Sequence, residues 1–178
     1  MLKDIQKTVF LFVIMLTWLF INVGSVCLSG SVKQNVHLNV LKQTKDGEIV
    51  MRNGGIIKGK EKYNVSFKSS LYAYVYIFQV DKTCALSPIF PNLKYTKTAN
   101  PVATNKYYRI QGLSLDQVKG KEIIVLLASK NKMKITNVEK ICQNVSNVCI
   151  TRGVANTYKP EKINRNIIEI KTLSFEHR

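Results

Sequence analysis

The sequence predicts a mainly β protein: an antiparallel, Ig-like β-sandwich with one short helix, preceded by an N-terminal hydrophobic signal or anchor helix. Three observations carry this expectation. Two stretches are apolar on both faces when read with the two-residue period of a strand. Several shorter stretches alternate polar and apolar between turn signals, and one later segment switches to steps of three and four residues. The first doubly apolar stretch, Leu71–Val80, is the expected centre. Its alternation puts Tyr72, Tyr74, Tyr76 and Phe78 on one side and Ala73, Val75 and Ile77 on the other, so something should pack on each face.

In chain order, Asn35–Leu41 alternates as a half-buried strand, Thr44–Gly47 reads as a turn, and Glu48–Arg52 is a short partner strand. Asn53-Gly-Gly55 turns the chain again. Glu61–Phe67 alternates with Tyr63, Val65 and Phe67 inward, and its proximity to the central strand predicts that the two pair. Leu86–Asn92 carries two prolines, which suit an edge or a corner. Lys106–Ile110 is a short strand and Leu113–Gly120 a loop. Glu122–Ser129 is the second doubly apolar strand, the expected partner of the first. Ile135, Val138, Ile141, Cys142, Val145 and Val148 then form one helix face, with Thr136 and Glu139 as a capping box. Asn166–Phe175 is a final strand with Ile168 and Ile170 inward.

The first residues place Lys3 and Lys7 before thirteen uncharged residues, Val9–Ile21, with small residues after them. This is the pattern of an export signal. Residues 1–30 are thus a signal peptide or membrane anchor, and 33–175 the folded module. Three fates fit the leader: cleavage after Ser25, retention as an anchor of about 20 residues, or lipid attachment at Cys27. Val26 before that cysteine departs from the small residue such sites prefer. All three place the module outside the cytoplasm, in the periplasm or anchored at the cell envelope.

Lys and Arg total 27 against 11 acidic residues, a formal charge of +16. Such an excess points to an anionic neighbour or to solvated faces. Two small clusters, Lys58, Lys60 and Lys62 and then Lys130, Lys132 and Lys134, are the candidate contacts to an anionic surface. Catalytic patterns are thin. His37 and His177, the only histidines, lie at opposite ends of the module, His177 in a tail expected to fray, so neither a zinc site nor a Cys–His nucleophile is expected. No cofactor motif is present; Asn53-Gly-Gly55 lacks the Lys-Ser/Thr that a phosphate loop needs. Asp46, Glu48, Glu61 and Asp81 read as turn formers or solvated charges. Cys142 and Cys149 lie two helical turns apart, about 10 Å, too far for a bridge unless the helix breaks near Ser146-Asn147. A disulfide there and buried thiols are the two readings.

The ordered set Lys58–Phe67, Tyr74–Asp81, Phe90-Pro-Asn92, Asn100-Pro-Val102, Gly120–Ser129 and Arg152-Gly153 resembles a bacterial family, domain of unknown function 4384, over residues 36 to 172. Gly59-Lys60-Glu61-Lys62 stands where that family has Gly-Asp before its aromatic strand. The resemblance implies a small β module, alone behind an export signal or fused to varied partners, and assigns no catalytic residue. In a bacterial chain the glycosylation-type triplets Asn64-Val-Ser66 and Asn144-Val-Ser146 are coincidental. The resulting expectation is a non-catalytic interaction module of the cell envelope that binds another envelope protein or an anionic surface. An extracytoplasmic hydrolase using Asp81 and the Phe90–Asn100 loop is the alternative. A nucleic-acid binder stacking bases on Tyr72, Tyr74 and Tyr76 is the third reading.

Overall fold

The computed structural model describes residues 35–142 and 168–178. Contacts divide the chain into Met1–Lys33 and Gln34–Arg178. The leader with Cys27 and the segment holding Asn144 and Cys149 lie outside the described residues, so the proposed bridge and the lipidation site do too. Among the described residues no helix is long and apolar enough to cross a membrane.

The second unit is mainly β. Its strands are β1 (Val36–Thr44), β2 (Gly47–Val50), β3 (Gly55–Ile57), β4 (Lys62–Ser69), β5 (Tyr74–Val80), β6 (Leu86–Phe90), β7 (Tyr107–Ser114), β8 (Gly120–Ser129) and β9 (Ile168–His177). A helix, α1, occupies residues 135–142. The first sheet runs β2-β1-β4-β7 and the second β3-β9-β8-β5-β6. Among the described residues all pairs are antiparallel except β3 with β9, which is parallel. The sequence reading missed β3, because three residues carry no periodicity of their own and are held only by their partner.

Alternation decides which strand joins which sheet. In β4, Tyr63, Val65 and Phe67 are fully buried while Lys62 is exposed and Ser66 and Lys68 are half-buried. Such a strand fits a sheet with one open face. β5 and β8 are apolar on both sides because the second sheet is covered on both. Its inner face shares one core with the first sheet, where Phe67 meets Phe90 at 5.0 Å and Tyr63 meets Phe175 at 5.8 Å between ring centroids. Its outer face carries Tyr76, Phe78, Val80, Ile123, Val125 and Leu127 against Val138, Ile141 and Cys142 of α1.

The pairing of β5 with β8 therefore agrees with the sequence reading, and the pairing of β4 with β5 does not. β1 and β7 occupy both edges of β4, and the chain crosses to the other sheet after Ser69, whose Oγ accepts from the Tyr72 amide at 3.0 Å. The crossing also moves Tyr72 away from the tyrosine row: it lies in the inter-sheet core, whereas Tyr76 faces α1.

The turns follow local chemistry. Lys45 and Asp46 form the two-residue turn between β1 and β2, and Gly47 accepts a φ of 125° that a side chain would resist. Pro88 sits on β6, an edge strand, as its missing amide requires. Asn100 donates to Val75 O at 2.7 Å and accepts from Val75 N at 2.9 Å, so its side chain completes the backbone pairing at the start of β5.

α1 begins two residues earlier than the capping box implies. Lys134 O accepts from the amides of Asn137 and Val138, so Thr136 lies exposed in the first turn and Ile135 is 48% exposed. On β9, Ile170 faces α1, while Leu173 and Phe175 fill the inter-sheet core, the side that the sequence reading gave to Ile168 and Ile170. The side chain of Ile168 lies outside the described residues.

Candidate functional site

One end of the second sheet gathers most of the unusual chemistry. β8 starts at Gly120, which lies opposite His177 at the end of β9, and His177 in turn lies opposite Ile57 of β3. Two residues into β8, Glu122 has the inward parity of Ile124 and Leu126, and it is fully buried. A carboxylate there is costly unless it is well partnered. Its Oε2 accepts from Gln79 Nε2 at 3.1 Å, and Gln79 Oε1 accepts from the Tyr63 hydroxyl at 2.6 Å. Its Oε1 has no hydrogen-bond partner. Burial pushes the Glu122 carboxyl up to about 7; the Gln79 hydrogen bond opposes this, and the charges of Asp116 and Asp81 add to it.

His177 is 3% exposed, not part of a frayed tail. The end of β9 is fastened by Arg178 N to Ile57 O at 3.1 Å and Gly59 N to Arg178 O at 3.0 Å. Its Nδ1 lies 3.0 Å from Val118 O. Because a carbonyl only accepts, Nδ1 carries the proton in that contact. Asp116, exposed in the loop before β8, accepts from the Val118 amide at 2.7 Å. One potential ligand atom from each of Asp116, Glu122 and His177 lies within 4.8 Å of the others. Spacing along the chain does not reveal this trio, since register brings it together. The readable signal was Glu122 itself, an acid on the inward side of an apolar strand.

The lysine clusters do not form one surface. Lys58, Lys60 and Lys62 are exposed around the turn between β3 and β4, where Glu61 bonds Lys42 and the Lys58 amide. The hydrogen bond from Lys42, then that of the Lys58 amide, holds the Glu61 carboxyl below its usual value. Lys130, Lys132 and Lys134 are exposed beyond the opposite end of β8, about 30 Å away at the rise of a strand. At the Glu122 end, Lys58 is joined by exposed Lys82, Lys119 and Arg178, with the Lys82 side chain lying against Gly120.

The remaining candidates take structural roles. Asp81 Oδ1 accepts from Thr83 N, Thr83 Oγ1 and Ala85 N at 2.7–2.9 Å, tying the corner after β5. Burial raises its carboxyl, but these hydrogen bonds and Lys82 outweigh burial and leave it below the usual value. Tyr72 and Tyr76 are 2% and 4% exposed, and the Tyr76 hydroxyl bonds both Met133 N and Met133 O. Neither ring offers a face to a base. Burial, then the charge of Glu139, pushes the Cys142 thiol up to about 12. Asn64 is 1% exposed and bonded to Glu48, Gln43 and Gly112, so its amide has no room for a glycan. Glu48 also pairs with Arg109 across the open face of the first sheet, and His37 is exposed there.

Compared with protein-family models, curated proteins and solved structures, the chain finds no significant match in any of the three.

Proposed function

We propose that the chain is an exported or membrane-anchored, non-catalytic module of the bacterial cell envelope, an Ig-like β-sandwich that binds an anionic envelope surface or the acidic face of another envelope protein. The observation that carries this reading is the convergence of Lys58, Lys82, Lys119 and Arg178 at the ends of neighbouring strands. Basic side chains at one end of a folded body give association a direction that evenly spread charge does not. The apolar leader with its preceding lysines supports an extracytoplasmic setting.

The hydrolase alternative is weaker at the residues first suspected. Asp81 spends its carboxylate on the corner after β5, and a carboxylate held below its usual value is a poor general base. Nucleic-acid stacking is disfavoured by the burial of Tyr72 and Tyr76.

Co-sedimentation with vesicles tests the surface-binding reading. The chain should bind vesicles rich in phosphatidylglycerol, and binding should weaken as salt rises. The pair Lys58→Glu and Lys119→Glu should lower binding about tenfold or more, at about 1 kcal/mol per basic residue removed. The pair Lys130→Glu and Lys132→Glu should do much less. Equal losses from both pairs would remove the basic end from the account, and absence of binding would leave the protein partner as the reading to pursue by cross-linking.

A further inference from the structure

We propose that Asp116, Glu122 and His177 hold a divalent metal ion of the zinc class at the β3–β9–β8 end of the second sheet. A cluster of such groups on a surface would mean little. Here one member is fully buried and has an oxygen, Glu122 Oε1, with no hydrogen-bond partner. A buried carboxylate oxygen without a donor is a liability in a folded core, and a bound cation is one of the few things that removes it.

The surroundings have the form of a ligand shell. Tyr63 orients Gln79, and Gln79 fixes the other oxygen of Glu122, so the carboxylate is held from behind while Oε1 remains available. Val118 O takes the proton of His177 Nδ1, which leaves the lone pair on Nε2. A ligating histidine whose other nitrogen donates to a carbonyl is the usual arrangement at metal sites. Gly59 lies beside that second nitrogen, and a Cβ at residue 59 would sit 3.2 Å from Nε2. Any larger residue there would crowd the lone pair. Asp116 is exposed, so the ion has an entrance from solvent.

The donor set decides the class of ion. One imidazole with two carboxylates suits zinc or its transition-metal neighbours, whereas calcium and magnesium prefer oxygen alone. Three protein ligands leave a fourth position for water or for a group from a partner. The site lies at the same end as Lys58, Lys82, Lys119 and Arg178, but its ligands are two carboxylates and an imidazole, so metal uptake does not require anionic-surface binding.

The test uses the full chain stripped with a chelator, titrated with Zn²⁺ and separately with Co²⁺, whose visible absorption reports its ligands. The wild-type chain should take up one ion, with a Co²⁺ spectrum of mixed nitrogen and oxygen ligation and a rise in thermal midpoint. Asp116→Asn, Glu122→Gln and His177→Asn should each weaken binding by about tenfold or more. Glu122→Gln keeps the shape of the side chain and removes a buried charge, and Asp116 is exposed, so these two variants should fold even if the histidine variant does not. Uptake in Glu122→Gln and Asp116→Asn with wild-type affinity would put the ion elsewhere, on cysteines or His37, and overturn the proposal. Absence of uptake by the wild-type chain would overturn it too.

Discussion

Asp81 shows how one side chain can fix a corner. Three donors converge on a single oxygen, and the backbone closes the same turn through Cys84 N to Asp81 O and Asp81 N to Ala85 O. Asp81→Ala leaves the Thr83 and Ala85 amides without the charged acceptor that ties the corner and should destabilise the fold by about 1–3 kcal/mol, measurable by urea denaturation at neutral pH. The pH dependence has a definite sign. The folded carboxyl lies below the ordinary aspartate value of about 3.9, so the unfolded chain binds its proton first. The contribution of Asp81 is therefore complete above that value and is lost as pH falls through the lower folded one. Asp81→Asn should flatten this part of the acid limb; an unchanged acid limb would contradict the assignment. Phe67, fully buried between Phe90 and Tyr108, is the corresponding test of the core. Phe67→Ala should cost about 3–5 kcal/mol, read from the same denaturation curves.

At the scale of elements, the second sheet explains why two strands are apolar on both faces. It is covered by the first sheet on one side and by α1 on the other. The register of α1 makes a discriminating prediction. Ile135 is 48% and Ile141 5% exposed, although the apolar spacing of the sequence puts both on one face. Ile141→Ala should cost about 2–5 kcal/mol and Ile135→Ala about 0.5 kcal/mol or less; equal costs would contradict the observed register.

The doubly apolar character of β5 and β8 was legible in the sequence and paired them correctly. The neighbour of β4 was not, because adjacency in the chain was used where alternation was the better guide: β4 alternates, β5 does not, and such strands belong to differently covered sheets. β3 and the burial of His177 were beyond local reading. Both depend on parallel pairing between segments far apart in sequence. Asp116, Glu122 and His177 meet through the antiparallel register of β8 and β9, which local reading does not supply; the one available signal, an acid at the start of an apolar strand, was not used.

The whole molecule, as proposed, is an apolar leader followed by a β body with a basic end. Where the body resides is the claim on which the binding proposal rests, since an anionic envelope partner is useful only outside the cytoplasm. Cell fractionation of the chain expressed with its own leader, combined with protease treatment of permeabilised envelopes, measures this directly. The account predicts recovery in the periplasmic or membrane fraction, with Gln34–Arg178 reachable by protease added from outside the inner membrane. Intact full-length chain among the soluble cytosolic proteins, protected until the inner membrane is broken, would contradict it.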